Sequence, residues 1–241
     1  GTSTPGLCQI LDRKRLGCAD EQEDVDPFFK NIDGVYKRIR KSVKGQPDAA
    51  LYAVRAETIA VLEKQAQDDR LDLYYGDESG VSEQGYSPCG WQFKDGKASV
   101  PVGHRRQINC FGLLSRQNEL HFKTTTRSID TAFLIAFFDE FVLKLTRYAV
   151  VVLDNAKIHQ SKAFKERCMY WEKRGLFIVY LPPYSPHINI IEKLWHELKQ
   201  RWLRPEDYFS FDTLAYAVQL ALLAGGSELK IEFNPFNYTS N

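Results

Sequence analysis

Hydrophobic positions recur along the chain with two different spacings, which predict both helices and strands. Between residues 47 and 69 apolar side chains recur every three or four positions, and this spacing predicts a helix that Pro47 opens. From residue 71 short apolar runs dominate instead. Strands are predicted at residues 71–77, 107–114, 119–125, 148–153 and 176–181. A loop or hairpin rich in Gly, Pro and Ser is predicted around Trp91, over residues 80–103.

Start and stop signals mark the helices that lie between and after these strands. Ser128 or Asp130 can cap a helix that runs to about residue 144. A second helix is predicted at residues 161–174, where Gly175 ends it, and two more at about 187–203 and 211–224. The run at residues 148–153 is apolar on both faces, as in a strand covered by helices on both sides. The order of elements predicts an α/β fold, with a mixed sheet flanked by helices.

Composition narrows the class of protein without naming a partner. The 241 residues are 44% hydrophobic and 26% charged, which supports a sizeable core and excludes a fibrous or disordered chain. No apolar run approaches the roughly 18 residues of a membrane span. The five cysteines are scattered without a Cys-x-x-Cys pair, which argues against a disulfide scaffold or a zinc knuckle. We therefore expect a reducing compartment and no secretion.

Charge is segregated near the start of the chain, although the formal net charge is only +1. Residues 20–26 carry five acids and no base, whereas residues 30–44 carry six bases against one acid. This pattern fits a solvated helix or linker, or an arm that follows DNA phosphates. We predict an N-terminal basic arm or linker at 1–46 and one further domain at 47–241. The candidate DNA contacts in the arm are Lys37, Arg38, Arg40, Lys41 and Lys44.

Two aspartates follow predicted strands and are candidates for chemistry. Asp77 ends the first strand and Asp154 follows the buried one. Ligands bind at the carboxyl ends of strands in open α/β sheets. If the two strands are parallel neighbours, the carboxylates lie side by side, and their repulsion costs free energy unless a cation lies between them. The alternative for each is an aspartate that begins a turn.

A third carboxylate, Glu192, lies on a predicted helix with two adjacent stripes. The apolar stripe faces the core and consists of Ile188, Ile191, Trp195, Leu198 and Trp202. The polar stripe beside it consists of Asn189, Glu192, His196 and Lys199. An ordinary solvent-exposed face is the alternative interpretation. Together, however, the three acids favour an oxygen-ligand site for Mg²⁺ or Mn²⁺.

Other catalytic motifs are not present. The segment that ends at Gly96-Lys97 cannot be a phosphate-binding loop, because Trp91 and Ala98 occupy its required glycine and hydroxyl positions. The chain has no Gly-x-Ser-x-Gly elbow and no His-Glu-x-x-His motif. We therefore assign His104 and His121 structural roles.

Three segments, taken together, are similar to a known family. They read YGDESGV at residues 75–81, VLDNAKIH at 152–159 and PYSPHINIIEKLW at 183–195. In this order they resemble the catalytic domain of mariner-superfamily transposases, in the bacterial insertion-sequence branch. The resemblance covers about residues 35–204, and the 37 residues between Asp154 and Glu192 fall within the family's usual range. His187 departs from the acidic or apolar residue that is common in the family, and Ile190 from the common proline.

The resemblance implies a fold and a chemistry. The fold would be ribonuclease-H-like, of the retroviral integrase type, with a five-stranded sheet in the order 3-2-1-4-5. Asp77 and Asp154 would lie on adjacent parallel strands, and two Mg²⁺ or Mn²⁺ ions would drive phosphoryl transfer on DNA.

The resemblance also implies roles for individual residues. Asp77, Asp154 and Glu192 would be the metal ligands, and Asn155 and Asn189 would orient them. DNA contacts would come from Arg105 and Arg106, at the family's basic strand start within GHRRQIN (residues 103–109), and from His159, His196 and Lys199. For the last three, a plain surface role is the alternative.

The implied activity is cleavage of transposon ends and strand transfer into target DNA at TA sites. We expect DNA as partner, a homodimer on the DNA, and a cytoplasmic, nucleoid-associated protein if the source is bacterial. Residues 1–46 are too short for the family's helix-turn-helix modules, so we expect a catalytic fragment or the product of a split reading frame. One alternative is a nuclease that cleaves without joining. The other is a catalytically silent DNA-binding or assembly module.

Overall fold

A five-stranded mixed sheet organises the computed structural model, which describes residues 49–83, 106–182 and 185–234. Its strands are β1 (Asp72–Ser82), β2 (Gln107–Ser115), β3 (Leu120–Thr125), β4 (Ala149–Leu153) and β5 (Leu176–Tyr180), in the order β3-β2-β1-β4-β5. β1 pairs with β2, and β2 with β3, antiparallel, while β1–β4 and β4–β5 are parallel. The predicted mixed sheet and its strand order are confirmed.

Helices lie on both faces of this sheet. They are α1 (Ala49–Gln67), α2 (Thr131–Val142), α3 (Lys162–Glu172), α4 (Ile191–Glu197) and α5 (Phe211–Ala224). The side chain of Asp130 caps α2 by accepting from the Phe133 amide, and Ser161 caps α3 by accepting from the Phe164 amide. Gly175 follows α3 with a φ of 86°, a conformation that favours glycine.

Alternation along β1 divides the interior into two cores. Tyr75 points into a core formed with α1, α4 and α5, where Trp195 and Leu214 are buried. Tyr74 points into the other core, formed with α2 and α3 around Phe138. All five residues of β4 are buried, because helices cover both of its faces. Asp77 shares strand parity with Tyr75 and therefore faces the α4 side.

Two sequence predictions were wrong in their bounds. β1 does not end at Asp77 but continues to Ser82, because β2 supplies hydrogen-bonding partners along that whole length. The single helix predicted over residues 187–203 is divided into a 3₁₀ turn (Pro186–Ile188), α4 and a π-helical turn (Leu198–Trp202). The first break falls at Asn189, whose ψ of 101° is extended rather than helical. The polar stripe therefore does not lie on one regular helix.

Several other predictions concern residues beyond those described. The arm at 1–46 and most of the loop around Trp91 lie outside the described ranges, so the domain boundary remains a prediction. In the described ranges, Cys110 and Cys168 are free thiols. None of the helices in those ranges combines the length and the apolar composition needed to cross a bilayer.

Candidate active site

The sheet opens between β1 and β4 at the level of two aspartates. Parallel pairing ends where Tyr75 meets Val152, while β1 continues along β2 to Ser82. Extending the parallel register by two residues brings Asp77 level with Asp154. By this extension of the register, both aspartates are expected near the carboxyl end of β4, where ligands bind in open α/β sheets.

Gly112 on β2 allows α4 to approach this opening. Gly112 is the cross-strand partner of Asp77. A Cβ at Gly112 would lie 3.1 Å from Cη2 of Trp195 and 3.3 Å from Cδ1 of Ile191. Because no side chain intervenes, α4 packs directly on the sheet beside Asp77. Glu192 follows Ile191 and is brought to the same opening.

The charges at the opening repel one another. Burial raises the pKa of Asp77 to about 8, and the negative charge of Glu192 contributes next, ahead of Glu78 and Asp154, while the Glu78 amide acts in the opposite direction. Asp77 is therefore surrounded by negative charge and poorly solvated. A cation at this position would relieve both costs.

The donor set fits a hard divalent cation in its chemistry, although the side chains are not gathered around one. Asp77, Asp154 and Glu192 offer only carboxylate oxygens, the ligands that Mg²⁺ and Mn²⁺ prefer. Within the part of the chain that the structure describes, no three His, Cys, Asp or Glu side chains converge at metal-ligand distance. The charge of the site thus favours a divalent cation, but the three carboxylates do not yet surround a common metal position.

Asp154 is held by two hydrogen bonds to the same carboxylate oxygen. Its Oδ1 accepts from the Ala156 amide at 2.9 Å and lies 2.9 Å from Nδ1 of His159. The bond to His159 is the main reason that the pKa of Asp154 is lowered. Burial lowers the pKa of His159, but its bonds to Asp154 and Glu78 outweigh this and raise that pKa to about 9. Asp154 is therefore ionised at neutral pH.

The two predicted orienting amides lie near the site but contact other groups. The Asn155 amide donates to the Leu181 carbonyl at 2.7 Å and accepts from Arg55 at 3.0 Å, which ties it to the loop after β5. Asn189 is buried, and its Oδ1 has no hydrogen-bond partner among the described residues. The Asn189 carbonyl accepts from the Glu192 amide at 3.2 Å at the start of α4.

The predicted DNA contacts divide into several groups. His196 is exposed and Lys199 half-buried, so both remain candidates. Arg106 pairs with Glu83 at 3.2 Å and lies over the Phe211 ring at 4.6 Å. His159 has no exposed surface, so a phosphate contact finds no support in this geometry. The remaining candidates, Lys37, Arg38, Arg40, Lys41, Lys44 and Arg105, lie outside the described residues.

The histidines that were assigned structural roles can be checked in one case. His121 lies 2.9 Å from Glu119 and packs edge-on against Tyr74 and Phe141. These contacts fit the predicted structural role. His104 lies outside the described ranges.

Sequence reasoning missed hydrogen bonds that join α1 to the segments after β4, after β5 and before α4. Arg55 donates to Asn155 at 3.0 Å, next to Asp154, and to the Leu181 carbonyl at 2.9 Å. Tyr52 lies 3.0 Å from Nε2 of His187, just ahead of α4. These partners are 100 or more positions apart in the chain, so no local pattern marks them. Glu78, by contrast, stands beside Asp77 in the sequence and could have been singled out.

Replacement of Gly112 with alanine tests how α4 is positioned. The added methyl would press on the Trp195 ring and Ile191, so α4 must shift by a few tenths of an ångström. We expect metal-dependent activity to fall by about tenfold or more, since small misplacements of catalytic groups are costly. The melting temperature should fall only modestly.

Gly80→Ala is the matched control on the neighbouring strand. Its methyl would meet only the flexible Gln107 side chain, which can move aside. Activity and melting temperature measured on both variants separate the two sites. Equal activity in the Gly112→Ala variant and the wild type would show that the approach of α4 is not critical.

The chain is similar to one protein family model and to several solved structures. A family model described as DDE superfamily endonuclease matches residues 72–215. The Mos1 strand transfer complex is 13% identical with a TM-score of 0.52, over 83% of this chain and 62% of that chain. The Mos1 mariner paired-end complex with Mg is 12% identical with a TM-score of 0.52, over 93% of this chain and 74% of that one. No curated protein matches the chain.

At such identities the structural similarity establishes the fold alone, and the chain spans only 62% of the first Mos1 chain. The predicted ribonuclease-H-like fold, a mixed five-stranded sheet flanked by helices, is confirmed. The family model covers more than half of the 241 residues, including all three candidate carboxylates. The chain therefore belongs to the DDE superfamily endonuclease family.

Proposed function

We propose that this chain is the catalytic domain of a DNA transposase that cleaves transposon ends and transfers the strands into target DNA. The observation that carries the proposal is the environment of half-buried Asp77, where desolvation and then the negative charges of Glu192, Glu78 and Asp154 raise its pKa to about 8. Asp154 and Glu192, which belong to other elements of the fold, contribute to the negative charge around Asp77. Negative charge concentrated at a strand opening favours binding of divalent cations.

Asp77, Asp154 and Glu192 would hold the metal, with Asp77 between the other two. When bound, a pair of Mg²⁺ or Mn²⁺ ions would neutralise charge on the phosphodiester and activate the attacking oxygen. The protein would contribute ionised carboxylate oxygens that are held in a fixed orientation. Asp154 does this through its bonds to His159 and to the Ala156 amide.

The similarity to solved transposase structures also supports this proposal. The similar structures include Mos1 in a strand transfer complex and in paired-end complexes with Mn and with Mg. By analogy we propose that the chain acts on paired transposon ends as a homodimer and inserts at TA dinucleotides. The bacterial insertion-sequence branch remains a prediction from the sequence.

A strand-transfer assay tests the proposal and separates it from the alternatives. Pre-cleaved duplex ends, taken from the DNA that flanks the coding sequence, are mixed with a supercoiled plasmid and Mn²⁺ or Mg²⁺. We expect nicked plasmid and joined product with metal, neither in EDTA, and insertion sites concentrated at TA. Nicks without joined product would favour a plain nuclease. A protein that binds DNA but gives neither product with either metal would favour a silent module.

A further inference from the structure

A fully buried histidine joins two carboxylates at the point where β1 and β4 separate. Nδ1 of His159 lies 2.9 Å from Oδ1 of Asp154, which follows β4. Nε2 of the same ring lies 3.1 Å from Oε1 of Glu78, on β1. The ring thus spans the two strands just beyond their last backbone pairing, between Tyr75 and Val152.

The contacts around His159 fix its ring in place. The His159 amide donates to the Ala156 carbonyl at 3.0 Å, which closes the turn that follows Asp154. The His159 carbonyl accepts from the Tyr180 hydroxyl at 2.9 Å, and Phe164 packs near the ring with centroids 6.0 Å apart. The His159 side chain has no exposed surface. A side chain held this firmly can set the orientation of the groups that it bonds.

Asp154 needs such support because it lies beyond the end of its strand. The strand ladder fixes Val152 but no longer fixes Asp154 relative to β1. The Asp154 side chain is 46% exposed, and its Oδ1 receives both the Ala156 and the His159 contacts. Oδ2 makes no hydrogen bond in the described part of the chain and is therefore the Asp154 oxygen available to a cation.

We propose that His159 is a positioning residue, which aligns the Asp154 carboxylate for metal by bridging it to Glu78 across the gap between β1 and β4. This inference rests on the proposed function, because it assumes that Asp154 binds metal. Partners that hold a metal ligand from behind typically change metal affinity by about 10–100-fold when they are lost.

Titration with Mn²⁺, followed by the loss of its free-ion electron paramagnetic resonance signal, tests this bridge in the DNA-free chain. His159→Asn places an amide near the Nδ1 position and keeps the Asp154 contact. His159→Gln places its amide near the Nε2 position and keeps only the Glu78 contact. We expect the Gln and Ala variants to bind Mn²⁺ at least about tenfold more weakly than the wild type. The Asn variant keeps the Asp154 contact but loses the one to Glu78, so its Mn²⁺ affinity should lie between those of the wild type and the Gln variant.

A change at Glu78 tests the other end of the bridge in a chain with His159 intact. Glu78→Ala should weaken Mn²⁺ binding, and combining it with His159→Ala should add little, since both remove the same bridge. His121→Asn is the matched control, because His121 is also hydrogen-bonded to a glutamate but lies away from the site. It can lower the melting temperature, but it should leave Mn²⁺ affinity unchanged.

The outcomes distinguish failure of this inference from failure of the proposed function. If Asp154→Asn abolishes Mn²⁺ binding while folded His159→Gln and Glu78→Ala bind as the wild type does, the positioning role is wrong and the metal site stands. If Asp154→Asn itself binds Mn²⁺ normally, both are wrong. Should His159→Ala fail to fold, the His159→Asn, His159→Gln and Glu78→Ala variants still decide the question.

Discussion

Replacement of Asp154 with asparagine is expected to reduce metal-dependent DNA nicking by about a thousandfold or more while the fold survives. Loss of a metal-ligand charge removes several kcal/mol of transition-state stabilisation, and about 1.4 kcal/mol corresponds to each factor of ten. Asparagine keeps an oxygen that can accept from the Ala156 amide and from His159. The turn after β4 should therefore keep its shape.

Asp212→Asn is the matched control for this change. Asp212 is exposed in the first turn of α5. Its replacement with asparagine removes the same charge as Asp154→Asn but does not alter the candidate site. Nicking of supercoiled plasmid, measured with the melting temperature of each variant, separates chemistry from folding. Nicking at the wild-type rate by pure Asp154→Asn protein would contradict the assignment of Asp154.

Replacement of Asp77 with asparagine is expected to abolish activity and yet to stabilise the metal-free protein at pH 8. The pKa of Asp77 is about 8 in the folded protein, against an ordinary value of 3.8. Between those values the unfolded chain releases a proton that the folded chain retains, so stability is greatest at low pH and falls as pH rises towards 8. Asparagine cannot ionise and avoids this loss.

Melting curves of the wild type and the Asp77→Asn variant at pH 5 and pH 8 in EDTA measure this effect. The variant's advantage should grow with pH and reach about 3 °C or more at pH 8. Excess Mg²⁺ should reverse the order, because only the wild type gains stability from binding. A variant that melts below the wild type at pH 8 in EDTA would show that Asp77 is not destabilised by its neighbours.

The sheet was predictable because its signals are local. β4 is an uninterrupted apolar run, and α2 and α3 begin at side-chain caps that the sequence displays. The break at Asn189 was not predictable, because a helical spacing of apolar residues does not reveal an extended backbone within it. The continuation of β1 beyond Asp77 depends on pairing with β2, which a single segment does not show.

The candidate site was predictable in its carboxylates but not in their supports. Asp77 and Asp154 follow or end predicted strands and Glu192 lies on a polar helix stripe, so the residue pattern itself suggested a shared site, and the resemblance to a family strengthened that interpretation. The support from His159 depends on a bond to Glu78, which is 81 positions away in the sequence. The hydrogen bond from Arg55 to Asn155 spans 100 positions. Such contacts depend on how α1 and the loops pack in three dimensions, and they produce no periodic pattern of residues in the sequence.

The proposed function requires three carboxylates, from β1, the end of β4 and α4, to bind divalent metal together. The most direct measurement is the anomalous difference map of a crystal soaked in Mn²⁺. We predict peaks within ligand distance, about 2.0–2.6 Å, of oxygens from Asp77, Asp154 and Glu192. A well-ordered map with no peak at the opening between β1 and β4, or with Mn²⁺ bound only elsewhere, would contradict the account.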